Sequence, residues 1–306
     1  MPNLKEISKR KPPVVGGHRA CAGCAPMVTI RQVLLAAGEN TVASISTGCM
    51  EVVSTIFPYS SWNIPMVHNA FENSAATISG VEAAYKALKR KGNLKKDLKF
   101  IAFGGDGGTY DIGLQSLSGA IERRHNFLYV CYDNEAYMNT GIQRSSATPY
   151  GAHTTTSPAG TVIPGKAQVR KNLTEIIIAH KPVYAAQATP AFFMDLMKKV
   201  EKALSKEGPS FLNILSPCPL GWGYDPAISI ELSKLAVETN FWPLYEWQDG
   251  KYKINHKPKQ RIPIEEWMKP QTRFRHLFTE KNKGLLEEIQ KEIDKNWEEL
   301  LKKAEV

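Results

Sequence analysis

Short apolar runs alternate with amphipathic stretches along this chain of 306 residues. The apolar runs are bounded by turn-forming residues, which is typical of buried β-strands, whereas the stretches between them repeat their apolar positions at helical spacing. This alternation predicts an α/β fold with a mostly parallel sheet flanked by helices. The predicted strands are residues 41–47, 98–104, 126–133, 183–189 and 210–216, and the predicted helices are 71–92, 112–124, 172–180 and 189–204.

Residues 139–171 interrupt the alternation. They are dense in serine, threonine, proline and glycine and predict neither helix nor strand. Loops of this length without regular structure are uncommon inside a compact domain and often carry function, although the same composition fits a flexible linker. We therefore treat 139–171 as a candidate functional loop, with Arg144 as a side chain that can reach a carboxylate or a phosphate.

The chain after Thr239 has a different pattern. The stretch "FWPLYEWQDGKYKIN" predicts a β-hairpin that turns at Asp249 and Gly250, because Asp-Gly favours a two-residue hairpin turn. We therefore divide the chain into a body, residues 1–240, and a C-terminal extension, residues 241–306, that packs on the body or on a partner subunit. The extension ends in a predicted amphipathic helix whose apolar stripe is Leu285, Ile289, Ile293, Trp297 and Leu301.

Composition limits the kinds of protein that fit this pattern. A hydrophobic content of 42% fills a sizeable core, and no apolar run approaches the roughly 20 residues of a membrane span. The charged start lacks the apolar centre of a secretion signal, so we expect a cytoplasmic protein. The net charge of +9 would suit an acidic partner, but the lysines are spread along the chain as on solvated helix faces, and we predict no nucleic-acid partner.

In the stretch "FGGDGGTYDIG", residues 103–113, the carboxylate of Asp106 is flanked by four glycines between a strand and a helix. A glycine-rich turn of this kind exposes backbone N–H groups to an anion such as a phosphate. It lacks the third glycine of the dinucleotide fingerprint and the Lys-Ser/Thr of the P-loop. Asp106 would repel a diphosphate unless a cation lay between them, and Mg²⁺, which takes about six oxygen ligands, is the usual bridge.

Further oxygen ligands are available at the end of the next predicted strand. Asn134 follows Asp106 by one βα unit and a strand, and adjacent parallel strands would bring both side chains to the carboxyl edge of the sheet. A main-chain carbonyl just beyond Asn134 would complete the set. The alternative is that Asp106 only caps a helix and Asn134 only ends a strand.

Five cysteines in a chain without a secretion signal are expected to remain free rather than to form disulfides. Cys21 and Cys24 form a C-x-x-C pair, which alone fits a zinc site, a redox dithiol or chance. Four thiolates gathered from separate segments also fit an iron–sulfur cluster, which requires no fixed spacing. The four are Cys21, Cys24, Cys49 and Cys218, whereas Cys131 lies inside an apolar strand.

Together these motifs resemble the beta subunit of the 2-oxoacid:ferredoxin oxidoreductases, among them pyruvate:ferredoxin oxidoreductase. The resemblance rests on "GHRACAGC", "TGCMEV", "GDGG", "YDNEAYMNTG", "SPCP" and "PIEEWMKPQTRFRHLF". It implies the thiamine-diphosphate-binding fold with an N-terminal cluster-binding segment. It also implies that Gly105, Gly107 and Gly108 cradle the diphosphate, that Asp106, Asn134 and the main-chain carbonyl of Ala136 hold Mg²⁺, and that Asn139 lies near the thiazolium ring and the substrate.

The resemblance further implies that Cys21, Cys24, Cys49 and Cys218 hold a [4Fe–4S] cluster and that Cys131 is a core residue. The family usually has glycine after the second cysteine, where this chain has Ala25, and alanine would strain the loop if that position required a positive φ. Weaker site candidates are Thr47 and Gly48, which precede a cluster cysteine at a strand end, and His68 as a proton donor.

The implied reaction is oxidative decarboxylation of a 2-oxoacid, with coenzyme A taking the acyl group and ferredoxin the electrons. Pyruvate, giving acetyl-CoA and CO₂ reversibly, is the expected substrate; branched-chain and aryl 2-oxoacids, 2-oxoglutarate and oxalate are alternatives. A simple thiamine decarboxylase would usually have a second asparagine at Glu135. A metal-binding interaction subunit without catalysis is the alternative of another class.

The family resemblance also implies partners. A chain of 306 residues leaves no room for the domain that binds the aminopyrimidine beside the one that binds the diphosphate. We therefore expect a pyrimidine-binding alpha subunit, with gamma and ferredoxin-like delta subunits or fused equivalents, and an external ferredoxin.

Overall fold

The computed structural model describes residues 4–305. In this part of the chain eight strands form one sheet in the order β2-β1-β3-β4-β6-β5-β7-β8. The first six strands in this order are parallel to one another, whereas β7 is antiparallel to β5 and β8 is antiparallel to β7. The strands are β1 (Thr41–Ser46), β2 (Met66–Asn69), β3 (Lys99–Gly105), β4 (Leu128–Asp133), β5 (Tyr184–Ala188), β6 (Ser210–Leu215), β7 (Tyr245–Gln248) and β8 (Lys251–Ile254).

Helices cover both faces of the sheet. The α-helices are α1 (Leu4–Ile7), α2 (Ala25–Ala37), α3 (Cys49–Ser54), α4 (Ser74–Arg90), α5 (Leu114–Glu122), α6 (Leu173–Ala179), α7 (Phe193–Leu204), α8 (Pro219–Trp222), α9 (Ser229–Glu238), α10 (Ile264–Met268) and α11 (Lys283–Ala304). A π-helical turn, Gly107–Ile112, leads into α5, and 3₁₀ turns span Pro190–Phe192, Pro226–Ile228, Thr272–Phe278 and Glu280–Asn282. Among the described residues no helix is both long enough and apolar enough to cross a membrane.

The α/β fold and the five predicted strands are confirmed, each within two residues of its predicted bounds. The four predicted helices are also present as α4 to α7. Strand β2 was missed because it is only four residues long and lies at the edge of the sheet, where its side chains are partly or fully exposed. A short edge strand of this kind lacks the apolar run that marks a buried strand.

Two apolar layers enclose the sheet. Helices α2 and α7 pack on one face, around Ile30, Leu34 and Leu196, and α4, α5 and α6 pack on the other, around Ile78 and Leu117. A third cluster, rich in tryptophan, joins α8, α9, α10 and α11 to the end of β6. These packed layers fix the carboxyl ends of the strands in place.

The predicted hairpin is confirmed, with Asp249 and Gly250 as its turn. Its first strand pairs with β5 and continues the sheet. The predicted apolar stripe on α11 faces the body, since Ile293 is buried and Leu285, Ile289 and Trp297 pack against the apolar clusters. The residues that are most deeply buried on this helix are Leu286, Ile293 and Leu300. They recur every seven residues, and the remaining apolar side chains of the helix flank this line.

The order of the strands creates a switch point. The chain passes from β1 outward to β2 and then crosses to β3 on the other side of β1. In open α/β sheets the crevice at such a switch point, outside the carboxyl ends of the strands, is where ligands bind. The glycine-rich turn follows β3, and the "STGC" stretch spans the end of β1, so both lie at this crevice.

Candidate functional site

The ends of three neighbouring strands form one cleft at the switch point. All of the predicted cofactor-binding residues line it, together with Thr47. His68 does not, and instead lies beside Thr47. The lining residues are Thr47, Gly48, Cys49, Phe71, Gly105, Asp106, Gly107, Gly108, Tyr132, Asn134, Ala136, Tyr137, Met138, Asn139 and Thr140.

Three polar groups converge inside the cleft. One arm of the Asn134 amide lies 2.8 Å from Asp106 Oδ1 and 2.9 Å from the carbonyl oxygen of Ala136. If the amide nitrogen of Asn134 occupies this arm, it donates a hydrogen bond to each of these two oxygens. If the amide oxygen occupies it, the oxygens of Asn134, Asp106 and Ala136 lie close together. Octahedral Mg²⁺ holds its ligands at 2.0–2.1 Å, so neighbouring ligands lie about 3 Å apart, as these atoms do. The donor set therefore fits magnesium.

Asp106 is fully buried. Its Oδ1 accepts the main-chain N–H of Asn134 at 3.3 Å, and its Oδ2 accepts the hydroxyl of Ser145, which lies in the long loop. Burial, followed by the charge of Asp133, raises the pKa of Asp106 well above its ordinary value. No ion pair joins Asp106 to a basic side chain in residues 4–305, so a bound cation would stabilise its charged form.

A network of buried charges stabilises the turn that carries Asn134 and Ala136, on the side of the turn that faces away from the cleft. Glu135 has a left-handed φ of 69° and turns its side chain away from the cleft. Its two carboxylate oxygens accept hydrogen bonds from Arg170 and Arg273, each at 2.6 Å. Arg170 also pairs with Asp133. The network thus fixes a backbone conformation that non-glycine residues rarely adopt.

Two further hydrogen bonds fix the same turn. Trp222 donates its indole N–H to the carbonyl of Asn134 at 2.8 Å, and Thr148 donates its hydroxyl to the carbonyl of Glu135 at 2.6 Å. Sequence reasoning missed Arg170, Arg273 and Trp222. Arg273 lies in the family-like stretch 263–278, but nothing there marks it as a partner of Glu135, and Arg170 and Trp222 lie in no motif.

The glycines after β3 allow close approach of neighbouring groups. A Cβ on Gly107 would lie 2.4 Å from the ring of Tyr137, and a Cβ on Gly108 would lie 2.8 Å from the carbonyl oxygen of Phe71. The turn therefore needs glycine for packing as well as for any contact with an anion.

Replacing Gly108 with alanine is expected to lower the free energy of unfolding by about 1–3 kcal/mol, because the new methyl group would meet backbone rather than a movable side chain. Gly80 provides the control: it is exposed within α4 and has open space around it. Gly80→Ala is expected to raise stability by about 0.5–1 kcal/mol. Urea unfolding of the full chain measures both, and equal effects of the two substitutions would contradict the packing argument.

Thr47 connects the cleft to His68. Its hydroxyl lies 3.1 Å from His68 Nε2 and also donates to the carbonyl of Asn69. On the other side of the ring, His68 Nδ1 lies 3.6 Å from the carboxylate of Glu51. His68 is exposed, so it can exchange protons with solvent. Arg144 does not line the cleft and hydrogen-bonds Gln168.

The four predicted cluster cysteines lie close enough for their charges to interact. Burial raises the pKa of Cys24 and of Cys49 to about 12, and the other cysteines of the group add to both shifts. Thiols of this kind lose their protons when a metal binds them. Cys131 is fully buried within β4.

In residues 4–305 no three His, Cys, Asp or Glu side chains are spaced to hold a single metal ion. A four-iron cluster has a different requirement, because each thiolate binds its own iron. The strain anticipated at Ala25 does not arise, since Ala25 is the first residue of α2 and has no positive φ.

Comparison with known proteins assigns a family. A family model described as the thiamine pyrophosphate enzyme C-terminal TPP binding domain matches residues 46–214. Pyruvate synthase subunit PorB of Thermotoga maritima is 52% identical over 308 aligned residues, covering 99% of this chain and 95% of that protein. The chain belongs to the PorB family of 2-oxoacid:ferredoxin oxidoreductase subunits.

Other relatives of this PorB-family chain are nearly as similar. Subunit PorB of pyruvate synthase from Methanocaldococcus jannaschii is 54% identical over 91% of this chain and 93% of that protein. Ketoisovalerate oxidoreductase subunit VorB of Pyrococcus abyssi is 46% identical over 95% of this chain and 93% of that protein. A solved 2-oxoglutarate:ferredoxin oxidoreductase from Magnetococcus marinus shares the fold, with a TM-score of 0.55 and 20% identity over 74% of this chain and 81% of that one.

Proposed function

We propose that this PorB-family chain is the catalytic subunit that binds thiamine diphosphate, Mg²⁺ and a [4Fe–4S] cluster in a pyruvate:ferredoxin oxidoreductase. The observation that carries the proposal is that one cleft contains both the oxygen set of Asp106, Asn134 and Ala136 and the cluster cysteine Cys49. A magnesium-bound diphosphate and an electron acceptor would then both contact residues of the same cleft.

In this proposal the residues of the cleft have distinct roles. Asp106, Asn134 and the carbonyl of Ala136 hold Mg²⁺, and the turn of Gly105, Gly107 and Gly108 faces the diphosphate. Asn139 contacts the substrate. Thiamine diphosphate, when bound, supplies the carbanion that cleaves the 2-oxoacid, and the cluster accepts electrons one at a time.

The contact of Thr47 with His68 supports a proton path at the edge of the cleft. Because the Thr47 hydroxyl donates to the carbonyl of Asn69, it can accept a hydrogen bond from His68 Nε2. The carboxylate of Glu51 faces the other nitrogen of the ring. His68 would thus supply protons from solvent, and Gly48 would leave the approach to the cleft free of a side chain.

The proposal requires partners and a compartment. The described part of the chain forms the diphosphate-binding domain, so an alpha subunit would supply the pyrimidine-binding domain. Gamma and ferredoxin-like delta subunits, or fused equivalents, would carry electrons to an external ferredoxin in the cytoplasm.

The substrate is tested with the assembled complex, purified without oxygen. Coenzyme-A-dependent reduction of ferredoxin is measured with pyruvate, ketoisovalerate, an aryl 2-oxoacid, 2-oxoglutarate and oxalate. Pyruvate is expected to give the largest kcat/KM. A higher value for ketoisovalerate would instead support the second candidate, a branched-chain enzyme, which the 46% identity to subunit VorB favours.

Cluster binding is tested by substitution of the cysteines. Cys49→Ser and Cys218→Ser are each expected to reduce iron and acid-labile sulfide in the complex by more than half, because each removes one of four thiolates. Cys131→Ala, which changes a cysteine buried elsewhere in β4, is the matched control and is expected to retain the iron. Zinc in place of iron, or full iron in the Cys49 variant, would contradict the proposal.

A further inference from the structure

The hydroxyl of Tyr132 is a buried polar group without a partner. Tyr132 is 1% exposed, and its hydroxyl makes no hydrogen bond with any residue from 4 to 305. Buried hydroxyls are nearly always paired, because leaving one unpaired forfeits its bonds to water. On the same strand, the buried Tyr129 is paired in the usual way, 3.1 Å from the hydroxyl of Thr109. The partner of Tyr132 is therefore a group that residues 4–305 do not supply.

The position of the ring shows where that partner lies. A Cβ on Gly105 would lie 3.2 Å from the ring of Tyr132, and a Cβ on Gly48 would lie 2.9 Å from its hydroxyl oxygen. The side chain thus reaches from β4 across the end of β3 to the end of β1. Its hydroxyl stands beside Gly48, next to Cys49, and all of these residues line the cleft.

Two acceptors are available there under the proposed function: a sulfur of the cluster at Cys49, or a diphosphate oxygen near Gly105. The geometry favours the sulfur. The hydroxyl oxygen of Tyr132 lies 2.9 Å from a Cβ placed on Gly48, the residue before Cys49, but 3.5 Å from a Cβ placed on Gly105. A phenolic O–H is a hydrogen-bond donor, and sulfur at Cys49 would accept from it.

We propose that Tyr132 donates a hydrogen bond to the sulfur shell of the iron–sulfur cluster at Cys49 and raises its reduction potential. The inference rests on the proposed function, because it requires the cluster. An O–H dipole that points at sulfur stabilises the extra negative charge of the reduced cluster, and hydrogen bonds to the sulfurs are among the factors that set such potentials. Tyr132 is thus a tuning residue for the electron acceptor rather than a cluster ligand.

The test compares Tyr132→Phe with the wild-type complex in a redox titration followed by electron paramagnetic resonance. Iron and thiamine contents are expected to be unchanged, and the equilibrium constant for reduction is expected to fall about tenfold, which is about 59 mV for a one-electron couple. Tyr129→Phe, which removes a paired hydroxyl from the same strand, is the matched control and is expected to leave the potential unchanged.

A second measurement uses the full chain without iron. There Tyr132→Phe is expected to melt at the same temperature as wild type or higher, since it removes an unpaired polar group, whereas in the loaded complex it is expected to melt lower. If Tyr132→Phe binds its full complement of iron and thiamine diphosphate and its reduction potential is unchanged, the inference is overturned. An unchanged potential together with weaker binding of thiamine diphosphate would also overturn it, because the diphosphate would then be the partner of the hydroxyl. A wild-type complex without iron would instead refute the proposed function.

Discussion

Asp106→Asn is expected to weaken the binding of Mg²⁺ and thiamine diphosphate by at least about 100-fold while leaving the cofactor-free chain as stable as before or more stable. Binding weakens because the substitution removes the only charged ligand of the predicted oxygen set. Even substitution of a residue that only supports a metal ligand lowers metal affinity 10–100-fold. Stability is retained because Asp106 is fully buried without a basic partner among the described residues. A neutral amide of the same shape avoids the cost of burying that charge.

The raised pKa of Asp106 adds a dependence on pH. The cofactor-free folded chain binds a proton at Asp106 more tightly than the unfolded chain does. Its stability therefore decreases as pH rises through the raised pKa, and Asp106→Asn is expected to remove that decrease. Calorimetric titration with Mg²⁺ and thiamine diphosphate, together with urea unfolding across pH, measures both effects.

Asp97→Asn provides the control, because it is the same chemical change on a surface carboxylate that pairs with Lys89 and Tyr85. It is expected to leave cofactor binding unchanged. Because the hydrogen bond from Lys89 lowers the pKa of Asp97, the substitution affects the pH dependence of stability only in the acid range and in the opposite direction. Normal cofactor affinity in the Asp106 variant would rule out Asp106 as a magnesium ligand.

Arg273→Met is expected to lower the free energy of unfolding by about 3–5 kcal/mol, the usual result of removing one partner of a buried ion pair. Arg273 is buried and donates to Glu135 Oε2 at 2.6 Å. Methionine retains the apolar contact with Trp222 over which the guanidinium lies, so the expected loss comes from Glu135 Oε2, which is left without a partner while Oε1 stays bound to Arg170, rather than from a cavity. Because Glu135 lies in the turn that is proposed to bind Mg²⁺, the affinity for thiamine diphosphate is expected to decrease as well.

The double variant Glu135→Gln with Arg273→Met distinguishes this cause from a loss of packing. If the carboxylate oxygen that loses Arg273 is what destabilises the single variant, the second substitution is expected to restore much of the lost stability. Urea unfolding of the two variants and the wild type completes the comparison. A double variant that is no more stable than Arg273→Met would show that the charge pair is not the cause.

The residues that line the cleft were predictable from the sequence, but the arginines that stabilise the turn of Asn134 and Ala136 were not. Asp106 and Asn134 each follow an apolar run, and the parallel pairing of β3 with β4 places such positions side by side. Arg170 and Arg273 lie in the long loop and in a 3₁₀ turn, where no periodicity marks a residue as buried. A sequence presents them as ordinary surface arginines, since charged residues are rarely buried unless paired.

Helix α11 shows how far periodicity reaches. It predicted the face that packs on the body, because Leu285, Ile289 and Trp297 of the predicted stripe contact the apolar clusters. It did not predict that Leu286 and Leu300, at the edge of that face, are buried more deeply. Packing against the tryptophan-rich cluster sets that detail.

The hydrogen bond between Arg273 and Glu135 spans 138 positions of sequence. At translation rates of about 5–20 residues per second, the ribosome adds Arg273 roughly 7–28 seconds after Glu135. A nascent chain that has already exposed the turn of Asn134 and Ala136 thus still lacks the arginine that holds the turn in shape. The pocket matures late in synthesis, so the cofactor is expected to be captured by the nearly finished protein rather than during its translation.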